Sequence, residues 1–245
     1  MSKLLEKLQR VSRGPSQPMG FRAAATMPKG PSMVLIAALT EGDATSAGES
    51  ADAVLFPWEK LKGGSLGNIV ASLGDLPWGV SVEETTGKEL SQLKEMGCDF
   101  LVFNAARAPL ALLREEEMGK IVEIEPSLAD GLVRAIEQLP IDAVLIAEEG
   151  ELSIHRLMVC QHLANLVRKP LVALAPIAMS KEDLQGLFEA GVAGVVVRLE
   201  GDVKELSRLR QAILELPSSR GRRKERMEPL LPYAGEEIAE PEEED

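Results

Sequence analysis

The chain has 245 residues, of which 45% are hydrophobic and 3% aromatic, and its formal net charge is -12. An acidic protein with few aromatic side chains repels nucleic-acid phosphates and offers few rings for base stacking, which excludes nucleic acid as the expected partner. No stretch reaches the ~18 consecutive apolar residues of a membrane-spanning helix, and no secretory leader pattern opens the sequence. We therefore expect a cytoplasmic protein without a transmembrane segment, in which both cysteines are reduced.

The first predicted element is a short amphipathic helix inside an N-terminal extension, residues 1–32. Leu4, Leu5, Leu8 and Val11 recur at helical spacing with charged residues between them, which indicates one apolar face. We expect this helix to cover the bottom of the domain that follows. A helix for a membrane surface or a partner protein is the alternative. Glycines and prolines then form an irregular lead-in.

Residues 33–216 contain eight short apolar runs, and stretches that could form helices separate them. Alternating strands and helices indicate a parallel sheet, and eight repeats indicate one closed (β/α)8 barrel of the TIM type. We therefore predict the α/β class, with this barrel as a single domain. The predicted strands are Met33–Leu39, Ala53–Phe56, Trp78–Val82, Phe100–Phe103, Ile121–Ile124, Ala143–Ala147, Leu171–Ala175 and Ala193–Val197.

Capping residues mark most of the predicted helices. Ser180 and Asp183 have the spacing of a capping box, and Gly191 closes the same helix. The weakest element is the helix after the second strand, because three glycines interrupt it. The predicted helices of the barrel are Trp58–Leu73, Thr86–Met96, Pro109–Met118, Ser127–Leu139, Glu151–Val167, Ser180–Ala190 and Val203–Leu216.

Residues 217–245 are predicted to be a disordered tail. A basic cluster, Arg220–Arg226, precedes an acidic run, Glu236–Asp245, and a charged segment with few apolar side chains has no core to fold around. Plain solvation is the expected role. The alternative is an interaction tail that holds a second copy of the chain or another protein.

Segments around the last strand carry a family resemblance. Ser180–Leu184 opens a helix, and Glu189–Val197 ends that helix in Glu-Ala-Gly and continues at once into a strand. Glu95–Val102 has the same order of helix end, glycine and strand. This order resembles the closing portion of the phosphate- and flavin-binding TIM barrels. The resemblance implies a ligand site at the carboxyl ends of the strands, for a phosphorylated molecule or a flavin, but no particular activity.

The same region departs from that family where a phosphate would bind. The family places glycines after strand seven, but Ala175-Pro176-Ile177 stands here, and proline has no N–H to donate. After strand eight the family has a Gly-Ser or Gly-Thr pair, whereas this chain has Arg198-Leu199-Glu200-Gly201. Arg198 is a candidate phosphate ligand, with a structural ion pair as the alternative.

Acidic residues follow most of the predicted strands, where barrel active sites lie. Because strand side chains alternate in direction, Glu123 and Glu125 are expected to point into the lumen together, and Glu83 shares a face with Ser81. Carboxylates around the mouth of the barrel, which is its opening at the carboxyl ends of the strands, can bind a cation such as Mg2+ or act as an acid–base pair, unless arginines and water neutralise them. The candidate catalytic residues are Glu83, Glu123 and Glu125, and the candidate ligand-binding residues are Glu41, Asn104, Glu148 and Arg198.

The sequence lacks the residue patterns that several common chemistries require. No lysine lies inside a predicted strand or at its carboxyl end, as a Schiff-base aldolase requires, and zinc-ligand spacing, a nucleophile elbow and a P-loop are also missing. Three hypotheses remain. The first is an enzyme or former enzyme acting on a small anionic or phosphorylated metabolite, with flavin as a candidate cofactor. The second is a lyase or isomerase assisted by a divalent metal such as Mg2+ or Mn2+, and the third is a barrel without catalysis that binds or assembles partners.

Overall fold

A computed structural model describes residues 2–13, 31–39, 47–61, 66–83, 85–199 and 203–217. Eight strands pair in chain order, all of them parallel, and the last strand closes onto the first. The predicted α/β class and the closed (β/α)8 barrel are therefore confirmed. The lead-in at 14–30 and the predicted tail from 218 onward lie outside the described residues.

Every strand overlaps the apolar run that predicted it. A parallel strand is covered on both faces, by the lumen and by the outer helices, so it needs apolar residues at nearly every position. The strands are β1 Val34–Leu39, β2 Ala53–Pro57, β3 Trp78–Val82, β4 Phe100–Asn104, β5 Gly119–Ile124, β6 Ala143–Ile146, β7 Leu171–Ala175 and β8 Val192–Leu199.

Local capping starts several helices where the sequence predicts them. The side chains of Thr86 and Ser180 each accept a hydrogen bond from the N–H three residues further on, and Ser153 caps the helix after β6 in the same way. The helices are α1 Lys3–Arg13, α2 Trp58–Leu61, α3 Leu66–Leu73, α4 Gly87–Glu95, α5 Asp130–Ala135, α6 Ile154–Leu166, α7 Lys181–Glu189 and α8 Val203–Glu215.

Two predicted helices are shorter than their patterns indicate. The segment Pro109–Met118 holds only a 3-10 turn, Leu110–Arg114. Three glutamates follow this turn, and the helix dipole disfavours anions at a carboxyl end. The helix predicted at Ser127–Leu139 begins only at Asp130 and ends in a 3-10 turn. Within the predicted helix Trp58–Leu73 the structure shows helical residues at Trp58–Leu61 and at Leu66–Leu73, and residues 62–65 lie outside the described residues.

Helix α1 lies across the amino-terminal end of the barrel. Its Leu4, Leu5 and Leu8 are buried against the side chains that fill the lumen. The strands leave room for them: a Cβ on Gly119 would stand 2.5 Å from Leu5, and one on Gly194 would stand 3.0 Å from Leu8. The strand residues of this cluster are Val34, Ile36, Ala53, Leu55, Phe100, Val102, Ile121, Ala143, Leu145, Val172, Ala193 and Val196.

Asp99, which precedes β4, holds the start of α1. Its carboxylate accepts hydrogen bonds from Ser2 Oγ at 2.7 Å, from the Lys3 N–H at 2.7 Å and from the Leu4 N–H at 3.0 Å. Amide groups at a helix start have no partner inside the helix and need one from outside. With this end of the barrel covered by α1, the opposite end, where the strands terminate, is the place to look for a site.

Candidate functional site

A cavity of about 340 Å³ opens at the carboxyl ends of β6, β7 and β8, the face where parallel barrels bind their ligands. One wall is apolar and comes from the end of β7. The charged groups come from the loop after β6 and from the end of β8. The lining residues are Glu148, Glu149, Gly150, Leu174, Ala175, Pro176, Ile177 and Arg198.

Arg198 borders this cavity and is paired with an acidic side chain from the loop after β6. Its Nη1 lies 2.5 Å from Oε1 of Glu149. The two side chains are 53% and 68% exposed, so water competes for the pair, which contributes only ~0–1 kcal/mol to stability. The structure thus shows the ion pair that was the alternative prediction for Arg198, while the guanidinium still faces the cavity.

The wall formed by this loop rests on Arg156, which is not among the residues predicted from the sequence. Its side chain is 2% exposed, and its guanidinium donates hydrogen bonds to the carbonyls of Glu148, Gly150 and Leu174. Its Nε also lies 3.6 Å from Oε2 of Glu148. A buried cation needs partners of this kind, and these partners fix the loop after β6 against the end of β7.

Helix α6 carries Arg156 into this position. The Ser153 hydroxyl accepts a hydrogen bond from the Arg156 N–H at 3.2 Å and starts the helix, and Arg156, Cys160 and Leu163 are all buried. Their spacing of four and three residues places them on one helical face. This spacing is visible in the sequence and is the signal that could have identified Arg156 as a buried cation.

Glu123 and Asn104 are neighbours on the lumen side of the mouth. They are paired in the register between β5 and β4. Each lies two residues after a lumen residue of the same strand, Ile121 in β5 and Val102 in β4, so both side chains point inward. Both are half-buried, and Asn104 Oδ1 accepts a hydrogen bond from the Ala106 N–H at 2.9 Å.

The other predicted acidic residues differ from this pair in exposure or in their partners. Glu125 follows the end of β5 and is exposed. Glu83 is exposed as well, and its Oε2 lies 3.1 Å from Nη1 of Arg107. Glu148 is half-buried and forms the ion pair with Arg156 described above, and Glu41 lies outside the described residues. Within the ranges that the structure describes, no group of three or more His, Cys, Asp or Glu side chains could hold a metal ion.

Comparison with solved structures agrees with the fold. The YdjI aldolase from Escherichia coli is 12% identical, covers 75% of this chain and 87% of its own, and has a TM-score of 0.53. An orotidine 5'-phosphate decarboxylase from Pyrococcus horikoshii is 11% identical, with coverages of 73% and 98% and a TM-score of 0.56. A thiamine phosphate pyrophosphorylase from Pyrococcus furiosus is 14% identical, with coverages of 74% and 95% and a TM-score of 0.54. Identities this low show a common fold alone.

No protein-family model matches the sequence, and no curated protein matches it. Along the described residues, no helix has both the length and the apolar character that crossing a bilayer demands. The chain is therefore a (β/α)8 barrel that resembles the aldolase, decarboxylase and pyrophosphorylase barrels in fold, and the resemblance points to no single family among them.

Proposed function

We propose that this chain is an enzyme, or a former enzyme, that binds a small anionic or phosphorylated metabolite at the carboxyl-terminal face of its barrel. The observation that carries the proposal is the position of Arg198 at the end of β8, where its half-exposed guanidinium borders the cavity. A guanidinium offers planar N–H donors that match a carboxylate or a phosphate. The apolar wall of Leu174 and Ile177 would contact the carbon skeleton of the same ligand.

The names of two proteins of similar fold support a phosphorylated ligand. One is an orotidine 5'-phosphate decarboxylase and the other is a thiamine phosphate pyrophosphorylase. Barrels of this fold often bind phosphate beside strands seven and eight. In this chain Pro176 removes one backbone donor at that place, and the Arg198 side chain would supply donors in its stead.

Glu123 is the proposed acid–base group. It lies within a strand and points into the lumen, next to Asn104. A carboxylate in this place can accept a proton from a ligand at the mouth, or return one to it. Asn104 would hydrogen-bond that ligand. The remaining candidates, which stay predictions, are Glu41, Glu83, Glu125 and Glu148.

Neither candidate cofactor finds a complete set of binding groups among the described residues. A flavin phosphate would meet Pro176, which has no N–H, where the resembling barrels have glycines. A Mg2+ ion needs several oxygen ligands at one point, and the described carboxylates do not form a group of three. The proposal therefore assigns no step to either group.

Phosphate binding tests the proposal. Inorganic phosphate should raise the Tm of the purified protein, because a ligand that binds only the folded state stabilises it by ~1.4 kcal/mol at ten times its Kd. Arg198→Met should abolish this rise. Arg134→Met is the matched control, because it removes an exposed arginine from α5, and it should leave the rise unchanged. No rise in the wild-type protein, or an equal rise in Arg198→Met, contradicts the proposal.

A barrel without catalysis is a second proposal, and the charges at the mouth favour it. Arg107 is paired with Glu83, and Arg198 is paired with Glu149. These arginines are therefore already neutralised by the protein itself, as expected of a face that no longer binds a substrate. Such a protein would bind or assemble partners, with residues 217–245 as the contact. Sedimentation of the full chain and of a chain without residues 218–245 should then differ in assembly state. Release of a phosphorylated small molecule from the wild-type protein, but not from Arg198→Met, would favour the first proposal.

A further inference from the structure

We infer that Glu149 is an internal competitor of the ligand: in the free protein its carboxylate occupies, on Arg198, the place that the anionic group of the ligand takes in the complex. The inference rests on the proposed function, because it gives a role to the acidic neighbour of the same arginine. It also narrows the ligand class. A phosphate dianion is the favoured ligand, because its second negative charge attracts the guanidinium more strongly than the single charge of the Glu149 carboxylate does.

The backbone on either side of Glu149 is held in place. Arg156 donates hydrogen bonds to the carbonyls of Glu148 and Gly150, the residues that flank it. Gly150 has a φ of 101°, in the left-handed region that side chains with a Cβ rarely adopt. Rotation of the Glu149 side chain can therefore separate its carboxylate from Arg198 while the hydrogen bonds from Arg156 keep the loop in place.

The two ion pairs on this loop differ in how firmly they are held. In the inner pair Arg156 is 2% exposed and Glu148 is 30% exposed, and the three backbone carbonyls bound to Arg156 add to its attachment. In the outer pair Arg198 is 53% exposed and Glu149 is 68% exposed. Exposed pairs of this kind alter an equilibrium by no more than about fivefold. The loop can thus keep its shape while the outer pair exchanges one anion for another.

Glu149→Gln tests the inference, because glutamine keeps the size of the side chain and removes its charge. Glu151→Gln is the matched control, since Glu151 is another exposed acid on the same loop. With inorganic phosphate as the probe in titration calorimetry at low salt, Glu149→Gln should bind about two- to fivefold more tightly than the wild-type protein. Glu151→Gln should remain close to wild type. The gain in phosphate affinity of Glu149→Gln over the wild-type protein should be smaller in 1 M NaCl, because salt screens exposed charges.

Acetate serves as a second probe. It carries one carboxylate, as Glu149 does, so the wild-type protein should bind it more weakly than phosphate, and Glu149→Gln should improve its binding as well. Thermal unfolding of each variant checks that the substitutions leave the fold intact.

The other outcomes separate this inference from the proposed function. If phosphate binds the wild-type protein and both glutamine variants equally, and Arg198→Met weakens binding, the proposed function stands and the inference is overturned. Weaker binding by Glu149→Gln overturns it too, because Glu149 would then assist the ligand. An equal gain in both glutamine variants would show a general charge effect and also overturn it. If phosphate binds none of these proteins, the proposed function fails and the inference fails with it.

Discussion

Nε of Arg156 lies 3.6 Å from Oε2 of Glu148, and neither atom has a hydrogen-bond partner in the described part of the molecule. The other nitrogens of the guanidinium bind the carbonyls at Glu148, Gly150 and Leu174. The two side chains therefore attract each other through charge, in a place that water hardly reaches. Removing one partner of such a pair destabilises a protein strongly, because the other charge stays buried without compensation.

Arg156→Met should lower the free energy of unfolding by about 3–5 kcal/mol, because the Glu148 carboxylate loses its counter-ion and three carbonyls lose their hydrogen-bond donor. Urea unfolding measures this change. Arg134→Met, at an exposed position of α5, should stay within about 0.5 kcal/mol of wild type. If the free energy of unfolding falls no further in Arg156→Met than in the control, the buried cation does not support the loop.

Gly79→Ala and Gly131→Ala should change stability in opposite directions. At Gly79 a Cβ would stand 2.4 Å from the Phe100 carbonyl oxygen and 2.5 Å from the Phe100 ring, so the added methyl should cost about 1–3 kcal/mol. At Gly131 in α5 nothing lies within 4 Å of the added carbon, and alanine should stabilise by about 0.4–1 kcal/mol, because it restricts the unfolded chain. Thermal unfolding of both variants measures the two shifts. A destabilised Gly131→Ala or a neutral Gly79→Ala would contradict the packing described here.

Asp99→Ala should loosen α1 from the barrel. The substitution removes the acceptor for the Lys3 and Leu4 amides and for Ser2 Oγ, and loss of a helix cap costs about 0.5–2 kcal/mol. Hydrogen exchange of the α1 amides should become faster in the variant. Asp75→Ala is the control, because the Asp75 side chain is fully exposed and contacts α1 through a 3.8 Å ion pair with Lys3, while the Asp75 carbonyl, which also accepts a hydrogen bond from Lys3 Nζ, stays in the variant. Equal exchange rates in the two variants would show that Asp99 does not hold the helix.

The two cysteines should resist thiol reagents while the protein is folded. Burial raises the pKa of the Cys98 thiol to about 12 and that of the Cys160 thiol to about 11, above the ordinary value of 9.0. At pH 8 both are protonated, and the thiolate is the reactive form. Ellman's reagent should therefore react only as fast as the protein opens, and urea should accelerate the reaction. Rapid labelling without urea would contradict the burial of these thiols.

The same pKa values predict how stability changes in alkaline solution. Below pH 9 both states keep the thiol protons, so the cysteines cause no pH dependence. Above pH 9 the unfolded chain releases protons that the folded protein retains, so the free energy of unfolding falls as pH rises toward 11 and 12. Urea midpoints at pH 8 and pH 10 measure the fall. In a Cys98→Ala, Cys160→Ala double variant the free energy of unfolding should decrease less between these two pH values. An equal decrease in the double variant would show that other groups cause the pH dependence.

Signals between residues close in the chain were sufficient to predict the barrel. Strand β7 has the predicted bounds, and Ser180 caps α7 with the predicted capping box, because apolar runs and caps act within a few residues. The prediction at Pro109–Met118 was wrong, since a helical apolar pattern competed there with three glutamates at its end. Local patterns therefore identified the elements and were less reliable for their lengths.

The sequence alone also indicated the inward direction of Glu123 and the place of Arg198 at the same face, because side chains alternate along a strand and strand order is fixed in a parallel barrel. It did not reveal their partners. Closure of the barrel brings the loop after β6 beside the end of β8 and pairs Glu149 with Arg198. Packing of α6 buries Arg156 beneath that loop. Ion pairs between distant segments depend on distances in space, which only the folded chain sets.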